Sequence, residues 1–141
     1  YNGEIFNHIE IRDDESKYET HSDTETFLYA YRKYDKKVFG MIRGMFAVSF
    51  YDRMSSKVTL SIDSFGIKPL YYINTDDWFA WSSELKVFQY LNGMKFSLEE
   101  SCLFEYGVFR TVAGPETMLK DVYKVMPSEI IEYNITEDLI T

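Results

Sequence analysis

A chain of 141 residues that is 45% apolar and 18% aromatic has enough core-forming side chains for one packed domain, which excludes a disordered segment. Its net charge of −8, with no long Lys/Arg run, excludes a surface built for nucleic acid or for an anionic membrane, and no stretch is apolar enough to span one. The single cysteine, Cys102, excludes an intrachain disulfide and fits a reducing compartment, so a cytoplasmic location is expected.

The chain opens on YNGEIFNHIEIR. Asn2-Gly3 bends backbone, because a glycine accepts positive φ at little cost. The Gly3 N–H can then stand beside the Asn2 side-chain amide, and paired donors suit the oxygen of a carbonyl under attack. An ordinary tight turn explains the same dipeptide. Residues 5–12 read as a short helix, interrupted in quality by Asn7-His8, and residues 13–21 read as a polar connection.

Ser22-Asp23-Thr24-Glu25 has the pattern of a capping box, in which the Ser22 hydroxyl takes the Glu25 N–H and the Glu25 carboxylate reaches back to Ser22. The helix it opens, TETFLYAYRKYDKKVF, places Phe27, Leu28, Tyr31 and Tyr34 at helical spacing and stops at Gly40. Asp23 is not needed by the box. The helix dipole favours an acid there, and the alternative is that Asp23 joins Glu4 in holding a cation such as an amino-acid ammonium.

Strand patterns follow. GMFAVSFYDR is apolar on both alternations, so both of its faces are expected to be covered, and KVTLSID continues the sheet. In IDSFGIKPL, Gly66 and Pro69 mark a turn, with Lys68 solvated. PLYYINTDDWFAWSS reads as a hairpin around residues 74–77. SSELKVFQYL reads as a helix capped by Ser82 or Ser83, with Leu85, Phe88 and Leu91 on one face. LEESCLFEYG is a second helix ending near Gly107, with Cys102 as a structural thiol, and SEIIEYNI is a last strand. Covered strands with helices at either end of the run point to a layered α+β sandwich. No metal-ligand spacing and no phosphate-cradling glycine loop is present, so neither a metal nor a cofactor is expected in this chain.

Six strings, NGEIFNH, HSDTET, RGMFAVSFYDR, IDSFGIKPLYY, SSELKVF and GPETMLKDVYKVMPSE, occur in that order over nearly the whole chain. Together they resemble the glutaminase domain of glutamine-dependent asparagine synthetase, a class II glutamine amidotransferase. The resemblance implies the N-terminal-nucleophile hydrolase fold, a four-layer αββα sandwich. It implies that residues 1–141 are a single partial domain, truncated at its N-terminus and lacking the C-terminal synthetase domain. By the same resemblance Asn2 and Gly3 form the oxyanion hole, while Glu4 and Asp23 hold the α-ammonium of glutamine. Glutamine would be hydrolysed to glutamate and ammonia, and the synthetase domain would use ATP and magnesium to amidate aspartate.

The departures are as informative. The family's nucleophile is an N-terminal cysteine whose own α-amino group acts as the base. Cys102 matches no catalytic position, so the chain by itself is expected to be inactive. Ile62 and Ser64 stand where relatives carry arginine in an RDxxG string, Ser128 stands where a glycine follows the proline, and His21 replaces a small residue. Missing front strands would leave a sheet edge open, through which two copies are expected to pair. Two other readings remain: an amidotransferase with an amino-sugar or lactam acceptor, and a non-catalytic relic that binds an amino acid.

Overall fold

A computed structural model describes residues 1–14, 17–76, 78–91 and 97–141, and the chain forms two compact units, Tyr1–Lys68 with Pro127–Thr141, and Pro69–Met126. In chain order the elements are β1 (Asn2–Ile5), α1 (His8–Ile11), α2 (Asp23–Tyr34), β2 (Gly44–Asp52), β3 (Lys57–Ile62), β4 (Tyr71–Thr75), β5 (Trp78–Ser82), α3 (Glu100–Phe109), β6 (Val122–Lys124), β7 (Ile130–Asn134) and β8 (Leu139–Ile140). Short 3-10 segments cover Asp35–Gly40 and Leu85–Tyr90. This is the mixture of helix and strand that an α+β reading requires. Among the described residues, no helix is long and apolar enough to cross a membrane.

The first unit is built on a five-stranded antiparallel sheet in the order β1-β2-β3-β7-β8. Every residue of β3 from Val58 to Ile62 is buried, so both of its faces are covered. In β2 only Phe46, Ala47 and Val48 are buried in succession, while Ser49 and Tyr51 are exposed. The double cover expected of the whole strand therefore holds for its first half. Helix α2 lays Phe27, Ala30 and Tyr31 against Ile5, Val38, Ile42, Phe46 and Val48. The Tyr31 ring lies 4.3 Å from that of Phe50, and its hydroxyl shares a buried hydrogen bond of 3.0 Å with Thr59.

Three expectations change in this unit. The helix expected over 5–12 shrinks to α1, because residues 2–5 pair with β2 and Ile5 enters the core as a strand residue. The capping box does not close. Ser22 Oγ accepts from the Thr24 N–H at 3.2 Å, while the Glu25 carboxylate takes the N–H groups of Glu19 and Thr20 at 2.9 and 2.8 Å. Thr20 is the cause: its hydroxyl donates to Glu25 at 2.6 Å and accepts the Ser22 N–H at 3.1 Å, intercepting both halves of the box. Helix α2 ends at Tyr34, where Asp35 turns to φ 51°, and tighter helical turns continue to Gly40.

The second unit has a three-stranded sheet, β5-β4-β6, over a core of Ile73, Phe88 and Val122. The hairpin of β4 and β5 stands where the sequence places it, with Asp77 of its turn outside the described residues. The segment 85–90 is a 3-10 turn rather than an α-helix, entered as Ser82 Oγ accepts the Glu84 N–H at 3.1 Å. Helix α3 runs two residues beyond Gly107 and stops where Arg110 adopts a left-handed φ of 60°. Strand β6 was not expected, being only three residues long. Cys102 is buried on α3, as a structural thiol should be.

Candidate functional site

The geometry begins with two glycines. Strand β1 pairs with β2 so that Gly3 faces Phe46 and Ile5 faces Gly44. Gly3 has φ +142°; a Cβ there would overlap the Met45 carbonyl oxygen and lie 2.6 Å from the Phe46 Cα. A Cβ on Gly44 would overlap the Glu4 carbonyl oxygen and lie 2.9 Å from the Ile5 Cα. Each of these two facing pairs therefore needs its glycine, and β1 lies closer to β2 than side chains would permit. Asn2-Gly3 is part of a strand, not the tip of a tight turn.

The backbone of β1 also sorts its donors. The Phe6 N–H reaches the Arg43 carbonyl on the β2 side at 2.7 Å, whereas the Ile5 N–H points the other way, to Asp23 Oδ2 at 2.9 Å. Donors alternate along an antiparallel strand, so Gly3, two residues before Ile5, directs its N–H away from β2 as well. Its facing residue Phe46 is engaged elsewhere: its carbonyl accepts the Asp63 N–H at 2.9 Å and its N–H donates to the Asp63 carboxylate at 3.1 Å. Buried Asn7 fixes the chain beyond β1, donating to the Met41 carbonyl at 3.0 Å and accepting the Arg43 N–H at 2.7 Å.

Asp23, the first residue of α2, meets this strand directly. Its Oδ2 accepts the Tyr1 hydroxyl at 2.6 Å in addition to the Ile5 N–H, while the Thr24 hydroxyl approaches Oδ1 at 3.4 Å. Burial pushes its pKa up, but the Tyr1 hydroxyl and the Ile5 and Thr24 N–H groups outweigh it, with a smaller contribution from His8, and the carboxyl is held below its ordinary value of 3.8. The Tyr1 phenol is pushed far up, by burial first and then by the same contact. Asp23 is thus an anion at neutral pH, and among the described residues no lysine or arginine pairs with it. Asn2 and Glu4 are exposed, and their side chains make no hydrogen bond among the described residues.

The structure so brings Asn2, Gly3, Glu4 and Asp23 to one end of the first unit. The contacts that join the strand to Asp23 run through Tyr1 and Ile5, and Asn2 and Glu4 stand exposed beside them. The broad groove of about 790 Å³ between Leu28, Tyr31, Phe50 and Met54 includes none of them. Among the described residues, no group of three or more His, Cys, Asp or Glu side chains is placed to hold a metal ion.

Sequence reasoning missed the residues that support the cluster. Asp63 is 1% exposed, and its carboxylate accepts the N–H groups of Phe46, Phe65, Ile67 and Lys68 at 3.0–3.2 Å. Burial raises its pKa and these four donors lower it further, leaving it below 3.8. Arg12 fixes the approach to α2. It donates to Thr26 Oγ1 and the Thr20 carbonyl at 2.9 Å and to the Ser22 carbonyl at 3.2 Å, with its guanidinium 4.3 Å above the Tyr18 ring. The one available signal for Asp63 was its place at a strand end before Ser-Phe-Gly, where an aspartate gathers the N–H groups of the next residues.

Residues 1–139 match the model of the glutamine amidotransferase domain family. The chain belongs to that family. It is 36% identical over 131 residues to asparagine synthetase [glutamine-hydrolyzing] 1 of Bacillus subtilis, covering 90% of this chain and 21% of that protein. It is 31% identical over 133 residues to a putative asparagine synthetase [glutamine-hydrolyzing] of Mycobacterium tuberculosis, covering 89% and 20%. The mouse asparagine synthetase [glutamine-hydrolyzing] shares 39% identity over 89 residues, 61% of this chain and 16% of that protein. The glutamine amidotransferase domain described here spans about a fifth of the length of the first two. Its identification agrees with the resemblance carried by the six strings, and the two segments on which the ammonium-binding expectation depends, β1 and the start of α2, are in contact.

Proposed function

We propose that this amidotransferase domain binds glutamine at the junction of β1 and α2, as the glutaminase part of an asparagine synthetase-like protein. The observation that carries the reading is the hydrogen bond from the Ile5 N–H to Asp23, which ties the two segments together and sets the Gly3 N–H facing the same side. Glu4 and Asp23 would meet the α-ammonium of the amino acid. Asn2 and Gly3 would donate to the side-chain carbonyl oxygen as negative charge develops on it during thiolate attack. Two anions and two donors suit a zwitterion that carries a carboxamide, and a ligand without a free ammonium would leave both carboxylates unpaired.

The remaining steps belong to a longer protein. A cysteine outside these 141 residues would supply the nucleophile, since Cys102 is buried on α3 and the chain has no other. ATP and magnesium would serve a synthetase domain that amidates aspartate. The same proposal includes the N-terminal-nucleophile hydrolase fold for the domain, a cytoplasmic location and pairing of two copies.

Calorimetry with glutamine tests the reading. The chain is expected to bind glutamine and release no ammonia, and Asp23→Asn is expected to weaken binding at least about tenfold, a loss of about 1.4 kcal/mol. Absence of binding by the wild-type chain would overturn the proposed site. Ammonia release that disappears in Asn2→Ala would overturn the expected inactivity.

A further inference from the structure

We infer that Tyr1 is a positioning residue for the ammonium site: its hydroxyl, by occupying Oδ2 of Asp23, turns Oδ1 toward the amino group of the ligand. The inference rests on the proposed role of Asp23 and adds what sets that carboxylate's orientation.

A carboxylate offers about four acceptor positions. In Asp23 two donors converge on one oxygen, the Tyr1 hydroxyl at 2.6 Å and the Ile5 N–H at 2.9 Å. The Thr24 hydroxyl approaches the other oxygen at 3.4 Å, well beyond an ordinary O–H···O length, and the Thr24 N–H adds a weaker attraction to the carboxylate. The bond from Tyr1 is short, as expected when the acceptor is charged. It fixes the carboxylate's torsion, which a single N–H from a strand would leave free to swing.

Tyr1 is 40% exposed, and its hydroxyl is the group that reaches Asp23. The titratable groups that act on Asp23 are Tyr1, which precedes β1, and His8 from α1, while Glu4 of β1 acts on Tyr1. No lysine or arginine among the described residues competes for Oδ1. The N-terminus of α2 carries partial positive charge and repels a cation. An ammonium group can settle there only against full negative charges held in place, and Tyr1 holds one of them. The ligand class that follows is a free amino acid. Its N-acylated form cannot use Oδ1 as an ammonium acceptor.

The test compares the chain with Tyr1→Phe, which keeps the ring and deletes the hydroxyl, after matching their thermal melting. Glutamine affinity is expected to fall about tenfold, while the weak binding of N-acetylglutamine stays unchanged. In an Asp23→Asn background, Tyr1→Phe is expected to have no further effect, because the two residues act as one unit. Independently of ligand, the Asp23 carboxyl carbon, followed by NMR, is expected to titrate at higher pH in Tyr1→Phe. Unchanged glutamine affinity in Tyr1→Phe, full additivity with Asp23→Asn, or an unchanged Asp23 titration overturns the inference and leaves the glutamine site standing. A wild-type chain that binds no glutamine overturns both.

Discussion

Two aspartates lie on either side of β2's neighbourhood and differ in one respect that decides what each can do. Asp63, at the end of β3, is almost fully buried, and four backbone N–H groups fill its carboxylate. Asp23, at the start of α2, is half-buried, and both of its close donors crowd one oxygen. Both carboxyls are held below their ordinary value, so ionisation does not separate them. Spare acceptor capacity does. A saturated anion is an anchor for the backbone, whereas a half-satisfied anion that no lysine or arginine among the described residues pairs is open to a ligand.

Removing the anchor is expected to have the largest effect. Asp63→Ala leaves the buried Phe46 N–H and three part-buried N–H groups without their acceptor, at about 1–3 kcal/mol each, so a loss of about 4 kcal/mol is expected in chemical denaturation. Asp63→Asn keeps one acceptor oxygen and the shape, and is expected to lose less, about 2 kcal/mol. The pH dependence has a definite sign. A carboxyl whose folded pKa lies below 3.8 contributes stability that is complete above that value and is lost as pH falls through the lower, folded value. Wild-type stability should therefore decline as pH drops below about 4, and Asp63→Asn should flatten that decline. Equal acid sensitivity in the two proteins would place the titrating group elsewhere.

Gly3→Ala comes next, because it attacks the strand that presents the open site. The added Cβ meets the backbone of Met45 and Phe46, at a φ that other residues rarely adopt. A loss of about 2–4 kcal/mol is expected from strain and displaced backbone. Since Ile5 donates to Asp23 from the same strand, glutamine binding should fall with it. A variant that kept wild-type stability would show that β1 does not lie as close to β2 as the two facing glycines require.

Much of this was legible because the signals were local. The start of α2 follows from Ser22 and the spacing of Phe27 and Tyr31, the hairpin of β4 and β5 from alternation about a polar turn, and the structural thiol from the distance in sequence between Cys102 and either histidine. What was illegible depends on residues far apart in the chain. Ile5 reads as helical until β2, forty residues on, pairs with it. Asp63 reads as a turn residue until the Phe46 N–H is known to reach it. Asn2-Gly3 has the composition of a turn, and only the facing Gly44 shows that it is a strand pressed against another. The approach of Asp23 to β1 was one of two readings of the residues, beside the helix dipole, and the resemblance pointed to it. Tyr1 carried no signal, since no motif singles it out.

Glu25 sharpens the comparison, because it copies the chemistry of Asp63 without the burial. Its carboxylate accepts the N–H groups of Glu19 and Thr20 and the Thr20 hydroxyl, a set nearly as full as that of Asp63. These contacts, led by the Thr20 hydroxyl, hold its pKa below the usual 4.5. Water, however, can replace every one of them at the surface, so the donors freed by Glu25→Ala are never left unpaired. The expected result is a denaturation midpoint close to that of wild type, together with faster hydrogen exchange confined to the Glu19 and Thr20 amides. A global loss comparable to that of Asp63→Ala would mean that the number of hydrogen bonds, rather than exclusion of water, sets the strength of these carboxylate anchors.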